Sequence, residues 1–284
     1  MKRIVCATCE SLPNLTDDDQ AVIRPLADRR IQASVGVWSD ATFPWLSADA
    51  VLIRSCWDYH RRTREFLDWV VSLENAGVRL WNAPDAIRWN TDKTYLRDLE
   101  RKGVPVIPTL WPETSVRLRD KLHELGWQKA VVKPRISASA YLTRVTSTED
   151  ANEAQPLFED LLRGPGVMVQ QFIDRVLTQG EWSLMFFAGA YSHAVIKTPK
   201  AGDFRVQHDH GGGERNAEPP AYVIEAAARA VRAVESAPLY ARVDGVESDG
   251  QLLLMELELI EPALFLRSSP HAAERFAESI AALL

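Results

Sequence analysis

The sequence predicts a mixed architecture, α/β at the N-terminus and α+β beyond it, on three observations. Short apolar strands alternate with helical segments through residue 84. From residue 85 onward, short β-branched strands mix with helices, and a late apolar strand carries acids at alternate positions.

In the first stretch Arg3-Ile4-Val5-Cys6-Ala7 is a short apolar run. Residues 17–30 read as helix, 35–38 and 50–53 as strands, and 63–75 as an amphipathic helix. Such alternation predicts a parallel sheet with helices on both faces and ligands bound beyond the C-terminal strand ends. Arg54-Ser55-Cys56-Trp57-Asp58-Tyr59 follows a strand directly and is a candidate ligand loop.

Residues 85–172 make a second unit: a helix near 92–101, strands at 104–107 and 130–134, a small-residue loop, a helix near 150–163 and a strand at 167–173. Residues 173–284 make a third, with strands near 181–187 and 191–197, a polar loop, a helix over 222–234, a hairpin and a terminal helix from about 270. In the middle helix Val223, Ala227, Ala230, Val231 and Val234 recur at helical spacing and read as core.

The chain has 284 residues, 46% of them hydrophobic, which is enough for real cores. A net charge of -6 argues against a broad nucleic-acid or anionic-membrane surface. No apolar run approaches the eighteen or so residues of a membrane span, and no signal-peptide core follows Met1. Three cysteines, an odd count, fit a reducing compartment, so a cytoplasmic location is expected.

The late strand Leu252-Leu253-Leu254-Met255-Glu256-Leu257-Glu258-Leu259-Ile260 places Glu256 and Glu258 on one face, roughly 7 Å apart. Asp244 lies twelve residues before Glu256, and the Glu247-Ser248-Asp249-Gly250 stretch between them is a turn signal. A hairpin centred on Gly250 sets Asp244 opposite Glu256 and Arg242 opposite Glu258. Buried carboxylates need a cation, and hard oxygen ligands suit Mg²⁺ or Mn²⁺. A salt-bridged structural strand is the alternative.

Lys133 ends an apolar strand before Pro134, where it can reach an anion, and Lys93 stands near the start of a helix. Taken alone, each reads as a solvated surface lysine. With an acidic metal cluster they suggest a nucleotide, its phosphates neutralised from both sides. The loop Arg135-Ile136-Ser137-Ala138-Ser139-Ala140 is built of small residues after the isoleucine, which lets N–H groups and the Ser137 and Ser139 hydroxyls approach phosphate oxygens. Neither a Walker A sequence nor G-x-G-x-x-G occurs.

The order of these pieces resembles the ATP-grasp superfamily of carboxylate–amine ligases. It covers Lys93, Lys133 before its loop, Gln170-Gln171-Phe172-Ile173, Arg242-x-Asp244 and Glu256-x-Glu258. The resemblance implies two α+β units clamping ATP, an N-terminal α/β domain over 1–84, a central unit over 85–172 and a C-terminal unit with the metal site over 173–284. It implies that Lys93 and Lys133 contact phosphates, that Gln171, Phe172 and Ile173 line the adenine with Gln170 beside them, and that Asp244, Glu256 and Glu258 hold Mg²⁺. Two departures stand out: serines and alanines where the family's phosphate loop has glycines, and Glu258 where many relatives have Asn.

Arg54-Ser55-x-Trp57-Asp58-Tyr59, Gly180-Glu181-Trp182-Ser183, Phe204-Arg205-Val206-Gln207 and the run Glu256 through Pro262 are similar to the branch containing the D-cycloserine-forming cyclo-ligase, a glutathione synthetase-like branch. That similarity implies a small amino-acid-like substrate, a candidate ligand of Arg54, Trp57, Asp58 and Tyr59. Its carboxylate would be phosphorylated by ATP and then attacked by an internal or external nitrogen. Arg205, Lys197 and Arg242 are the candidate catalytic cations, Glu181 a ribose or amine contact, and the loop over 198–213 a cover. Partners expected are that small molecule and a second copy as a homodimer, with neither nucleic acid nor membrane.

Two other function classes compete. Cys6-Ala7-Thr8-Cys9 resembles a thiol–disulfide redox motif. A nucleotide-binding protein without turnover is the other, although all three acids and both lysines are present.

Overall fold

The computed structural model describes residues 1–200 and 212–284. Its first sheet is parallel, with β1 (Lys2–Thr8), β2 (Ile31–Val37), β3 (Ala50–Ile53) and β4 (Arg79–Trp81) in the order β2-β1-β3-β4. All of β3 is buried, so both its faces are covered and no polar alternation is visible. The helical stretch expected over 17–30 divides into Asp17–Gln20 and Ile23–Asp28. Pro25 lacks the N–H that would bond to the Ala21 carbonyl, and its ring crowds that oxygen, so one continuous helix cannot form.

The second sheet is antiparallel: β5 (Thr109–Leu110), β6 (Lys129–Pro134), β7 (Arg144–Ser147) and β8 (Val167–Gln171) in the order β5-β8-β6-β7. Its apolar side chains share a core with Leu118 and Leu122 of helix Leu118–Leu125 and with Phe158 and Leu161 of helix Ala151–Arg163. The strand expected at 104–107 is absent from this sheet. Pro105 and Pro108 remove donors that a ladder needs, and Val106 instead makes one parallel bridge to Leu254.

The third sheet is also antiparallel: β9 (Glu181–Phe187), β10 (Ala190–Thr198), β11 (Gly213–Asn216), β12 (Tyr240–Ser248) and β13 (Gln251–Glu258) in the order β11-β10-β9-β12-β13. Trp182, Leu184, Phe186, Val243 and Leu257 pack on helix Ala221–Arg232, and the expected stripe Val223, Ala227, Ala230, Val231 and Val234 lies in that core. Ala86, Tyr95, Leu96 and Leu99, from helices Pro84–Thr91 and Tyr95–Arg101, join the same core. On the opposite face Met185, Phe187 and Val195 meet Ile4 and Leu52 of the first sheet and Phe276 of helix Ala272–Leu283. The rest of that face carries Glu181, Ser183, Lys197, Arg242, Asp244, Glu256 and Glu258, with Val246, Leu253 and Met255 as an apolar patch toward the hairpin turn.

The hairpin of β12 and β13 reaches the expected pairing by a different route. The turn is the two-residue Asp249-Gly250, both at positive φ (51° and 78°), and Ser248 pairs with Gln251. That register alone would set Asp244 opposite Met255. A bulge between Asp244 and Gly245 adds one residue and restores the pairs Asp244 with Glu256 and Arg242 with Glu258. A Cβ at Gly245 would lie 2.8 Å from the Leu253 carbonyl oxygen and 2.9 Å from Leu252 Cδ1. Gly245→Ala is therefore expected to destabilise the fold by about 2 kcal/mol through overpacking, read as a lower urea midpoint at unchanged slope.

Candidate active site

The polar face of the third sheet opens on a cleft of about 980 Å³ whose other wall includes Val131, Lys133 and Gln170 of the second sheet. Because directly opposed residues share a face, four strands build one row of alternating charge. Lys197 Nζ lies 2.5 Å from Glu181 and 3.2 Å from Asp244. The Arg242 guanidinium reaches Asp244 at 2.9 Å and also pairs with Glu258, while Ser183 Oγ donates to Asp244 at 2.5 Å.

Burial opposes charge along this row, and pairing decides where charge survives. Burial would raise Asp244, but Arg242 and Lys197 overcome it and hold the carboxyl down at about 2. At Glu258 burial wins over the single Arg242 contact and pushes the pKa up to about 7. Glu181 is also pushed up by burial, because it shares Lys197 with Asp244. Burial works against the charge of Lys197 too, yet Asp244 and Glu181 keep its pKa above the usual lysine range.

Lys93 is buried instead of solvated. Its Nζ donates to the Ser137 carbonyl at 2.8 Å and to Ser137 Oγ at 3.2 Å, and lies 3.1 Å from Glu256. Its backbone N–H donates to the Arg135 carbonyl, and Arg135 forks onto Asp92, so the loop after β6 is tied down at three points. Lys133 is not a surface lysine either. It faces the cleft, donates to Gln170 Oε1 at 3.1 Å, and has its pKa lowered by burial. Ser137, Ser139, Gln170, Gln171, Phe172, Ile173 and Glu181 all line the cleft. In the loop Ser139, Ala140 and Leu142 adopt φ of 51°, 55° and 51°, a left-handed backbone that glycine would adopt without strain.

The expected substrate loop divides. Trp57 and Tyr59 line the cleft, whereas Arg54 and Asp58 do not. Arg54 is fully buried, paired with Asp19 at 2.9 Å and donating to the Pro262 carbonyl, so it joins the loop to the chain beyond β13. Asp58 Oδ1 accepts from Trp38 Nε1 at 2.7 Å, within the N-terminal unit. Arg205 lies outside the described residues, as does most of the expected covering loop. Sequence reasoning passed over Glu261, which lines the cleft. The signal was present: an acid three residues past Glu258, at the end of the same apolar run.

The thiol reading finds no footing. Cys6, Cys9 and Cys56 are buried free thiols, and burial pushes Cys6 up to about 12, opposite to what a redox thiolate needs.

The donors fit a divalent ion. Glu256, Glu258 and Asp244 offer only hard oxygens toward the cleft, and Glu256 and Glu258 keep side-chain exposures of 28% and 24%. Asp244 is the most committed, with both oxygens engaged by Arg242. Among the described residues no three acidic, histidine or cysteine side chains converge as a preformed metal cluster.

A parallel α/β sheet beside two antiparallel sheets that face each other across such a row defines an ATP-grasp ligase, an ATP-dependent, ADP-forming carbon–nitrogen ligase. The same overall fold is seen in the D-alanine–D-alanine ligase of Bacillus anthracis, with a TM-score of 0.69 at 18% identity over 99% of this chain and 96% of that one. It is seen again in the ATP-grasp ligase PsnB bound to its minimal precursor, Mg and ADP, with a TM-score of 0.65 at 19% identity over 98% and 97%.

Similarity in sequence goes further. The "Cycloserine biosynthesis protein DcsG" of Streptomyces lavendulae is 32% identical over 268 residues, 88% of each chain. The crystal structure of D-cycloserine synthetase DcsG superposes with a TM-score of 0.90 at 29% identity over 99% of both chains. A family profile described as "D-cycloserine synthetase DcsG, N-terminal domain" matches residues 4–82. The chain belongs to the D-cycloserine synthetase family of ATP-grasp ligases. No helix among the described residues is long and apolar enough to cross a membrane.

Proposed function

We propose that this ligase phosphorylates the carboxylate of a small amino-acid-like substrate with ATP, and that a nitrogen of the same molecule then closes a ring, a step in antibiotic biosynthesis. The observation that carries this reading is the charge row across β10, β9, β12 and β13, facing buried Lys93 and half-buried Lys133 over one cleft. The likeness to D-cycloserine synthetase supports ring closure in particular.

A carboxylate is a poor electrophile, and phosphorylation gives it a leaving group. Lys133 and Lys93 would bind the phosphates from the side of the second sheet, and Gln170 through Ile173 would receive the adenine, with Glu181 near the ribose. Glu256, Glu258 and Asp244 would hold Mg²⁺, which supplies charge neutralisation on the transferring phosphoryl group. Lys197 and Arg242, with Arg205, would orient the substrate carboxylate and the oxyanion formed on nitrogen attack, while Trp57 and Tyr59 wall the substrate. The proposed division is 1–84 on the substrate side, 85–172 over the nucleotide and 173–284 with the metal site. The reading includes a cytoplasmic location, which the free thiols support, and a homodimer, checked by sedimentation.

The test is ADP release with Mg–ATP screened against an amino-acid library, with D-cycloserine sought by mass spectrometry; silence across the library would end the reading. Lys133→Ala is expected to weaken ATP binding by about 2 kcal/mol, roughly thirty-fold, by calorimetry, because a charge-assisted contact to phosphate is lost.

A further inference from the structure

Glu261 is a buried acid for which the described residues provide no ion-pair partner. It keeps 8% of its surface exposed and lines the cleft with Trp57 and Tyr59. Its carboxylate accepts from its own backbone N–H, and among the described residues it forms no ion pair. The neighbouring cations are committed elsewhere: Lys93 to Glu256 and Ser137, Arg54 to Asp19 and the Pro262 carbonyl. Burial, with Glu258 adding repulsion, pushes its pKa up to about 8 against the attraction of Lys93. A neutral residue would be the better choice for stability alone, and a cation on a ligand in the cleft would offset the remaining cost.

We propose that Glu261 binds the ammonium group of the amino-acid-like substrate. This rests on the ligase reading above and names the receptor for the amino group that neighbours the phosphorylated carboxylate, a group distinct from the attacking nitrogen. A divalent ion would require several oxygen ligands, whereas a primary ammonium needs one strong carboxylate contact and gains from aromatic neighbours. Trp57 and Tyr59 supply those neighbours, and the Trp57 indole N–H fixes the segment by donating to the Glu261 carbonyl at 3.0 Å. Glu261 thereby selects amine-bearing carboxylates, while Lys197 and Arg242 hold the reacting end.

The experiment compares wild type with the isosteric Glu261→Gln in steady-state ADP release. The substrates are the best amino acid of the library and its counterpart lacking the amino group. Wild type is expected to prefer the amine-bearing molecule by about a hundred-fold in kcat/KM. In Glu261→Gln its KM should rise by about a hundred-fold, while KM for ATP and the weak activity on the des-amino molecule stay within two-fold. A rise shared equally by both molecules, no rise at all, or wild-type indifference to the amino group would overturn the assignment. Calorimetry of wild type with Mg–ATP separates the two ideas. Nucleotide binding without acceptance of any amine-bearing carboxylate overturns the Glu261 site, and absence of nucleotide binding overturns the ligase reading together with it.

Discussion

Glu256→Gln is expected to lower Mg²⁺-dependent ADP release about a thousand-fold, roughly 4 kcal/mol in the barrier, with the fold intact. Glu256 is the acid at which the two halves of the cleft meet: its carboxylate faces the cleft from β13 and lies 3.1 Å from Lys93. The amide keeps the shape and one oxygen for Lys93, so packing and stability should change little. It removes the charge that a divalent ion needs. Unaltered turnover, with circular dichroism and urea midpoint also unaltered, would remove Glu256 from the metal site.

That carboxylate was legible because it broke a rule. Acids at alternate positions of an apolar strand are expensive, so their presence pointed to a cation before any geometry was known. The pairing of Asp244 with Glu256 was legible only in part. The turn is displaced by one residue from the simplest reading, and the bulge at Asp244 and Gly245 cancels the displacement. A bulge leaves no periodic signature, and Gly245 alone does not announce one.

The lysines and Arg54 show the opposite limit. Lys93 and Lys133 read as surface residues one at a time, because burial of a lysine depends on chain segments remote in sequence: Ser137 and Glu256 for one, Gln170 for the other. Arg54 sits in the loop that the parallel sheet marks for ligands. Asp19, thirty-five residues away, and the Pro262 carbonyl draw its guanidinium inward. Local pattern locates a loop, whereas the direction in which each side chain leaves it is decided by partners that pattern does not contain.

Arg242→Leu is expected to cost about 3 kcal/mol of stability at pH 8 and to abolish turnover. Arg242 pairs with both Asp244 and Glu258, and leaving one member of a buried pair uncompensated is the costly case. The figure lies at the low end of the usual range because Lys197 remains 3.2 Å from Asp244 and Glu258 keeps 24% exposure. The pH dependence separates charge from packing. Asp244, held down to about 2, contributes stability that is present above its unfolded pKa and lost as pH falls through about 2. Glu258 works in the other sense: with its pKa raised to about 7, its contribution falls as pH rises from the unfolded carboxylate value through 7. Without Arg242 both carboxyls take up protons more readily, so the deficit against wild type should be largest at pH 8 and shrink toward pH 5. A deficit of equal size at both values, by urea denaturation, would mean that the guanidinium acts as packing and that the row does not depend on its charge.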